Sequence, residues 1–203
     1  MPLLRSMVIF FAVVFSGAAQ AATILVWGDS LSAGYGLKSQ EAWPTLLQTR
    51  LEREGFRHTV VNASVSGETS AGGRSRLPAA LDRHKPDLLI LELGANDGLR
   101  GLKPSFMADN LSEMIRAARE KGVRVLLVGM QMPPNYGAAY NQRFQQTFAD
   151  VAREHDVPFV PFLLDGFAER SEMFQDDGIH PTAEAQTIIV DTVWKQLVAM
   201  LKG

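Results

Sequence analysis

A serine hydroxyl attacks a carbonyl only when a neighbouring base takes its proton and a third group orients that base. Four histidines are available: His58, His84, His155 and His180. His58 precedes an apolar run, while His84 and His155 each close a helical pattern with proline within three residues. Those three read as solvated or helix-terminal histidines, where a cation suits the helix dipole. His180 differs, because it stands three residues after Asp177 in Asp176-Asp177-Gly178-Ile179-His180-Pro181. One turn then holds both groups, the carboxylate accepting one ring N–H and leaving the other nitrogen to face a serine. The pair would also suit half of a metal site, though no second histidine–carboxylate cluster accompanies it, or a loop that caps the last helix.

Ser30 is the candidate nucleophile. The apolar run Ile24-Leu25-Val26-Trp27 breaks at Gly28-Asp29-Ser30, which places a serine where a short strand turns. Taken alone, Ser30 reads equally well as a helix cap or a turn residue. Acyl transfer also needs donors aimed at the developing oxyanion. Gly67, in Ser64-Val65-Ser66-Gly67-Glu68-Thr69, offers an N–H with no side chain in the way. Asn96, in Gly94-Ala95-Asn96-Asp97, offers a side-chain amide. Asp29 and Asp97 are rival triad acids, but neither has a histidine within local reach; both read as turn stabilisers.

The intervening pattern tells how these residues meet. Apolar runs at 24–27, 59–63, 87–93, 123–128 and 157–161 alternate with helical patterns at 41–54, 73–84, 104–122, 139–155 and 182–201. Pro78 either interrupts or begins the second helix, and the proline-flanked fifth run suits an edge strand. Alternation without a linker or repeat predicts one three-layer α/β/α sandwich with a parallel sheet. Right-handed crossovers gather every strand-to-helix loop along one edge, so Ser30, Gly67 and Asn96 converge by topology.

Composition narrows the field. With 203 residues and 46% hydrophobic content, one domain builds a sizeable core. A net charge of −2 gives no reason to expect nucleic acid or an anionic membrane as partner, and the absence of cysteine excludes disulfides and thiolate chemistry. At the N-terminus Arg5, the apolar run Met7–Phe15 and Ala19-Gln20-Ala21 form a secretory-signal pattern too short for a bilayer span. Residues 1–21 are therefore expected to be cleaved, leaving 22–203 as a single periplasmic or secreted domain without a stable membrane anchor; the alternative is an uncleaved anchor.

The blocks Gly28-Asp29-Ser30-Leu31-Ser32, Gly67, Gly94-Ala95-Asn96-Asp97 and Asp177-Gly178-Ile179-His180-Pro181, in this order, resemble the successive motifs of the SGNH (GDSL-type) hydrolases. Asp29 to Gly36 and Met132 to Gly137 are similar to the thioesterase I/lysophospholipase L1 and arylesterase branch. The resemblance implies a flavodoxin-like five-stranded sheet of order 2-1-3-4-5. It implies Ser30 as nucleophile, His180 as base, Asp177 as its orienting acid, and an oxyanion hole from the Ser30 and Gly67 N–H groups with the Asn96 amide. The expected activity is cofactor-free and metal-free hydrolysis of carboxylic esters and thioesters by a monomer acting on small acyl substrates. Met130, Met132, Pro133 and Tyr136 are candidates to line the acyl chain's groove, or else pack over the core. Alternative readings are a carbohydrate O-acetyl esterase on the same fold and a non-catalytic binding module. No Gly-x-Ser-x-Gly elbow, Gly-x-Gly-x-x-Gly or P-loop pattern supports an α/β-hydrolase or nucleotide binder.

Overall fold

The structure, a computed structural model, describes residues 22–202; the expected leader lies outside the described residues. Five strands, β1 (Thr23–Gly28), β2 (Thr59–Asn62), β3 (Leu88–Glu92), β4 (Arg124–Val128) and β5 (Phe159–Val160), form one parallel sheet of order β2-β1-β3-β4-β5. Ile24 to Trp27, Leu88 to Leu91 and Leu126 to Val128 are all buried, as a sheet covered on both faces requires. Pro158 and Pro161 flank β5 and have no N–H to donate, which keeps that edge strand to two residues.

Among the described residues, seven α-helices follow or join the strands: α1 (Ser30–Ala33), α2 (Trp43–Arg53), α3 (Ser70–His84), α4 (Ala95–Leu99), α5 (Pro104–Glu120), α6 (Ala138–Glu154) and α7 (Gln186–Leu201). Helices α3, α5 and α6 pack in succession on one side, and α2 packs on α7. The chain's direction across the sheet reverses between β1 and β3, so the loops after these two strands diverge and leave a crevice between them. Ser30 follows β1 and Asn96 follows β3, at that crevice.

Two helix starts differ most from the sequence reading. Helix α3 runs unbroken from Ser70, because the Thr69 hydroxyl caps it by accepting from Gly72 N–H (3.3 Å). Pro78 neither begins nor interrupts α3; it lies on the helix's exposed face. The last helix begins at Gln186 rather than Thr182. Residues 183–185 form a tight turn, and the buried Gln186 side chain accepts from Trp43 N–H (3.0 Å), tying α7 to the start of α2.

Candidate active site

Ser30 opens the single turn α1. Asp29 caps that turn, its Oδ1 accepting from Leu31 N–H at 3.0 Å. Gly28 is required by a close approach: a Cβ there would lie 2.5 Å from Glu92 Oε2 and 2.7 Å from Ser32 Oγ. His180 Nε2 stands 2.8 Å from Ser30 Oγ, and its Nδ1 stands 2.6 Å from Asp177 Oδ2. A carboxylate only accepts, so Nδ1 carries the proton and the Nε2 lone pair faces the serine hydroxyl. The other Asp177 oxygen accepts from the N–H groups of Ile179 and His180, both at 2.9 Å. The His180 backbone bond, then its ring, hold the Asp177 carboxyl down to about 2. The acid therefore stays ionised at neutral pH. Although 150 residues separate them in the chain, serine, histidine and aspartate form one continuous hydrogen-bonded line.

Donors stand beside this line. The N–H groups of Ser30 and Gly67 have no acceptor among the described residues, and Gly67 turns the chain with φ of 77°. Asn96 Nδ2 donates to Asp29 Oδ2 (3.1 Å) and to Glu68 O (3.0 Å), which fixes its amide between the loops after β1 and β2. Next to it, Asp97 accepts from Ser70 N–H (2.8 Å) and Ser70 Oγ (2.5 Å), and Asn110 Nδ2 donates to Ser70 Oγ (2.9 Å). This buried network locks α4, which carries Asn96, onto α3 and α5.

Residues 26–188 match the family model of the GDSL-like lipase/acylhydrolases. This chain belongs to the GDSL-like lipase/acylhydrolase family. It is 47% identical over 189 residues to the esterase TesA of Pseudomonas aeruginosa, covering 93% of this chain and 94% of that one. It is 43% identical to an arylesterase of Vibrio mimicus over 98% of both chains. Identity to the thioesterase 1/protease 1/lysophospholipase L1 of Escherichia coli strain K12 is 41%, over 93% and 89%. The crystal structure of TesA matches with a TM-score of 0.86 at 48% identity, covering 88% of this chain and 99% of that one.

Beneath Ser30 this GDSL-family chain buries a second carboxyl that motif reading passed over. Glu92, the last residue of β3, is wholly buried; Ser32 Oγ donates to its Oε2 at 2.6 Å, and its Oε1 has no partner. Burial and then the neighbouring Asp29 push its carboxyl well above the ordinary value of 4.5, while burial raises Asp29 to about 6. Glu92 is the residue that keeps its proton. A folded state that holds a proton the unfolded chain releases loses stability as pH rises above 4.5. Glu92→Gln keeps the shape and removes the titration. The variant is expected to gain on the parent with rising pH, by up to about 1.4 kcal/mol per pH unit. Urea melts at pH 5 and pH 8 would show the widening gap; a constant gap would mean that Glu92 is ionised. The signal was visible in sequence as the one charge inside the uniformly apolar run 88–93.

The four acyl-groove candidates separate. Met130 and Met132 are buried in the core, with the Met132 thioether packed against Gly98. The adjoining Pro133 is exposed, and the Tyr136 hydroxyl donates to Leu99 O (3.1 Å), tying this loop to the end of α4. A depression of about 470 Å³ bordered by Pro104, Tyr136, Tyr140 and Arg143 includes none of Ser30, Gly67, Asn96 or His180. The methionines thus serve as packing under the loop rather than as the wall of an open groove.

One other histidine requires correction. His58 is buried and not solvated, and burial lowers its pKa, as it does that of His155 at the end of α6. In both, desolvation is the leading cause and favours the neutral ring. Asp29 and Asp97 do act on neighbouring loops, through the bonds given above.

Proposed function

We propose that the chain hydrolyses carboxylic esters and thioesters through an acyl-Ser30 intermediate. The 2.8 Å contact of His180 Nε2 with Ser30 Oγ carries this reading. As Ser30 Oγ bonds to the substrate carbonyl carbon, Nε2 takes the hydroxyl proton, and the new imidazolium rests against ionised Asp177. The oxyanion is received by the two free N–H groups and by Asn96. Collapse expels the alcohol or thiol, which takes the proton from His180. Water then repeats the sequence on the acyl-serine and frees the acid.

The rim supports an apolar substrate over an acetylated sugar. The large apolar side chains exposed among the described residues are Tyr35, Val65, Leu102, Phe106 and Ile179. All five lie in or just after the segments that follow the C-terminal ends of the strands, and the Tyr35 ring packs on the His180 ring with centroids 4.4 Å apart. Such a border suits acyl and aryl groups. The Escherichia coli relative's name includes thioesterase and lysophospholipase, and the Vibrio relative is an arylesterase, which supports the same range here.

A fluorophosphonate probe is expected to label Ser30 and to abolish hydrolysis of p-nitrophenyl esters. Active enzyme left unlabelled at Ser30 would overturn the mechanism. A series of p-nitrophenyl esters of rising chain length, with acyl-CoA, lysophospholipid and acetylated xylan beside it, reads the substrate class. Activity confined to acetyl-xylan would move the assignment to the carbohydrate esterase. We also propose that the enzyme works outside the cytoplasm after losing residues 1–21; intact mass of the exported protein tests that reading.

A further inference from the structure

Ser30, at the start of α1, and His180, on a loop near the other end of the chain, belong to segments that no strand pairing joins among the described residues. The structure joins them through Gln175. Its Nε2 has two hydrogens, one donated to Tyr35 O (2.9 Å) and the other to Pro181 O (3.0 Å). On the serine side, Tyr35 N–H donates to Ser30 O at 3.1 Å. On the histidine side, Gln175 N–H donates to His180 O at 2.8 Å, and Gly178 N–H donates to Gln175 O at 2.8 Å, closing the turn that carries Asp177. Phe174 and Pro181 form an isolated antiparallel bridge at the base of the same loop.

A single amide therefore couples the backbone of the nucleophile to the backbone of the base. The fit is tight, since Gly36 packs against Gln175 Oε1 and a Cβ at position 36 would collide with it. Gln175 is only half-buried and touches none of the reacting atoms. Its residue type is nonetheless restrictive, because both partners are carbonyl oxygens and only a double donor satisfies them.

We propose that Gln175 is a positioning residue, a clamp that sets the separation of Ser30 Oγ and His180 Nε2 and so the reactivity of the serine. The proposal rests on the acyl-serine mechanism above. Loss of the clamp lets the His180 loop drift, and small misplacements of a general base are costly to rate while leaving substrate contacts in place. The effect belongs in kcat and not in KM.

The test compares Gln175→Ala and the near-isosteric Gln175→Glu with the parent, by p-nitrophenyl ester kinetics and by the rate of fluorophosphonate labelling. Gln175→Ala is expected to lower kcat and the labelling rate together by about tenfold or more, with KM within twofold. Gln175→Glu sets an ionised acceptor against two carbonyl oxygens. At pH 8 it is expected to fall below Gln175→Ala, and its activity relative to Gln175→Ala should rise towards pH 5 as the carboxyl regains one donor hydrogen. Thermal melts of both variants at parental temperatures would confirm that folding is intact; if Gln175→Ala melts early, the pH-dependent ratio in Gln175→Glu carries the test. A kcat within twofold of the parent in Gln175→Ala, a loss confined to KM, or a Gln175→Glu enzyme as active as the parent at pH 8 would each overturn the clamp. Parent enzyme that is active but unlabelled at Ser30 would instead overturn the mechanism beneath it.

Discussion

Ser30→Ala is expected to lower kcat by about 10⁶-fold, and His180→Ala by a similar factor, while the double variant falls scarcely further. The reason is that the hydroxyl and the imidazole act as one device. Without His180 Nε2 at 2.8 Å the serine keeps its proton, and without the serine the base has nothing to activate but water. Ser30→Ala keeps the Ser30-position N–H, and with Gly67 and Asn96 the oxyanion donors remain, so substrate binding survives the loss of turnover. Asp177→Asn should cost about 10⁴-fold, through the wrong imidazole tautomer. Single-turnover kinetics on a p-nitrophenyl ester, with binding of a non-hydrolysable analogue measured in parallel, separates these terms. If the two single losses multiplied in the double variant, Ser30 and His180 would be acting independently.

The parts that sequence made legible are those in which local chemistry and topology agree. Apolar runs such as Leu88–Leu91 leave no choice but a buried strand, and Asp177 to His180 is a turn whose hydrogen bonds are all local. Convergence of Ser30, Gly67 and Asn96 follows from a parallel sheet, whatever the side-chain details. What escaped is long-range and polar. Gln175 stands immediately before the Asp176–Pro181 block, but nothing in that block marks it, and its meaning lies in two carbonyls, one of them 140 residues away. In sequence, Met130 and Met132 stay open between two readings, because an apolar loop beside an active site is written the same way whether it lines a groove or covers the core; both are buried. His58 differs for a related reason, since burial beside a strand depends on what packs from elsewhere in the chain, whereas His155 does cap α6 as its helical pattern implies.

Asn96 carries the last expectation, because its geometry is fixed before any substrate arrives. Both Nδ2 hydrogens are already engaged, with Asp29 Oδ2 and Glu68 O. An oxyanion must therefore share one of these hydrogens, and it gains from an amide that needs no reorientation. Asn96→Ala is expected to lower kcat by about 10²- to 10³-fold, about 2.7–4 kcal/mol in the barrier. Asp29→Asn replaces an acceptor by an amide that must serve both Leu31 N–H and Asn96 Nδ2. A hydrogen bond to a charged group is worth about 1.5–3 kcal/mol, so about a 10- to 100-fold loss of kcat follows. In the Asn96→Ala background that same change should cost less than about threefold, since Asp29 then has no oxyanion donor left to orient. The pH profile offers an independent reading. With Asp29 raised to about 6 by burial, acidification through that pH discharges the group that holds Asn96. The parent's acid limb should therefore include the protonation of Asp29, which makes it steeper than that of Asp29→Asn or Asn96→Ala. Additive losses in the double variant, or a limb unchanged in slope, would show that Asp29 serves only as the cap of α1.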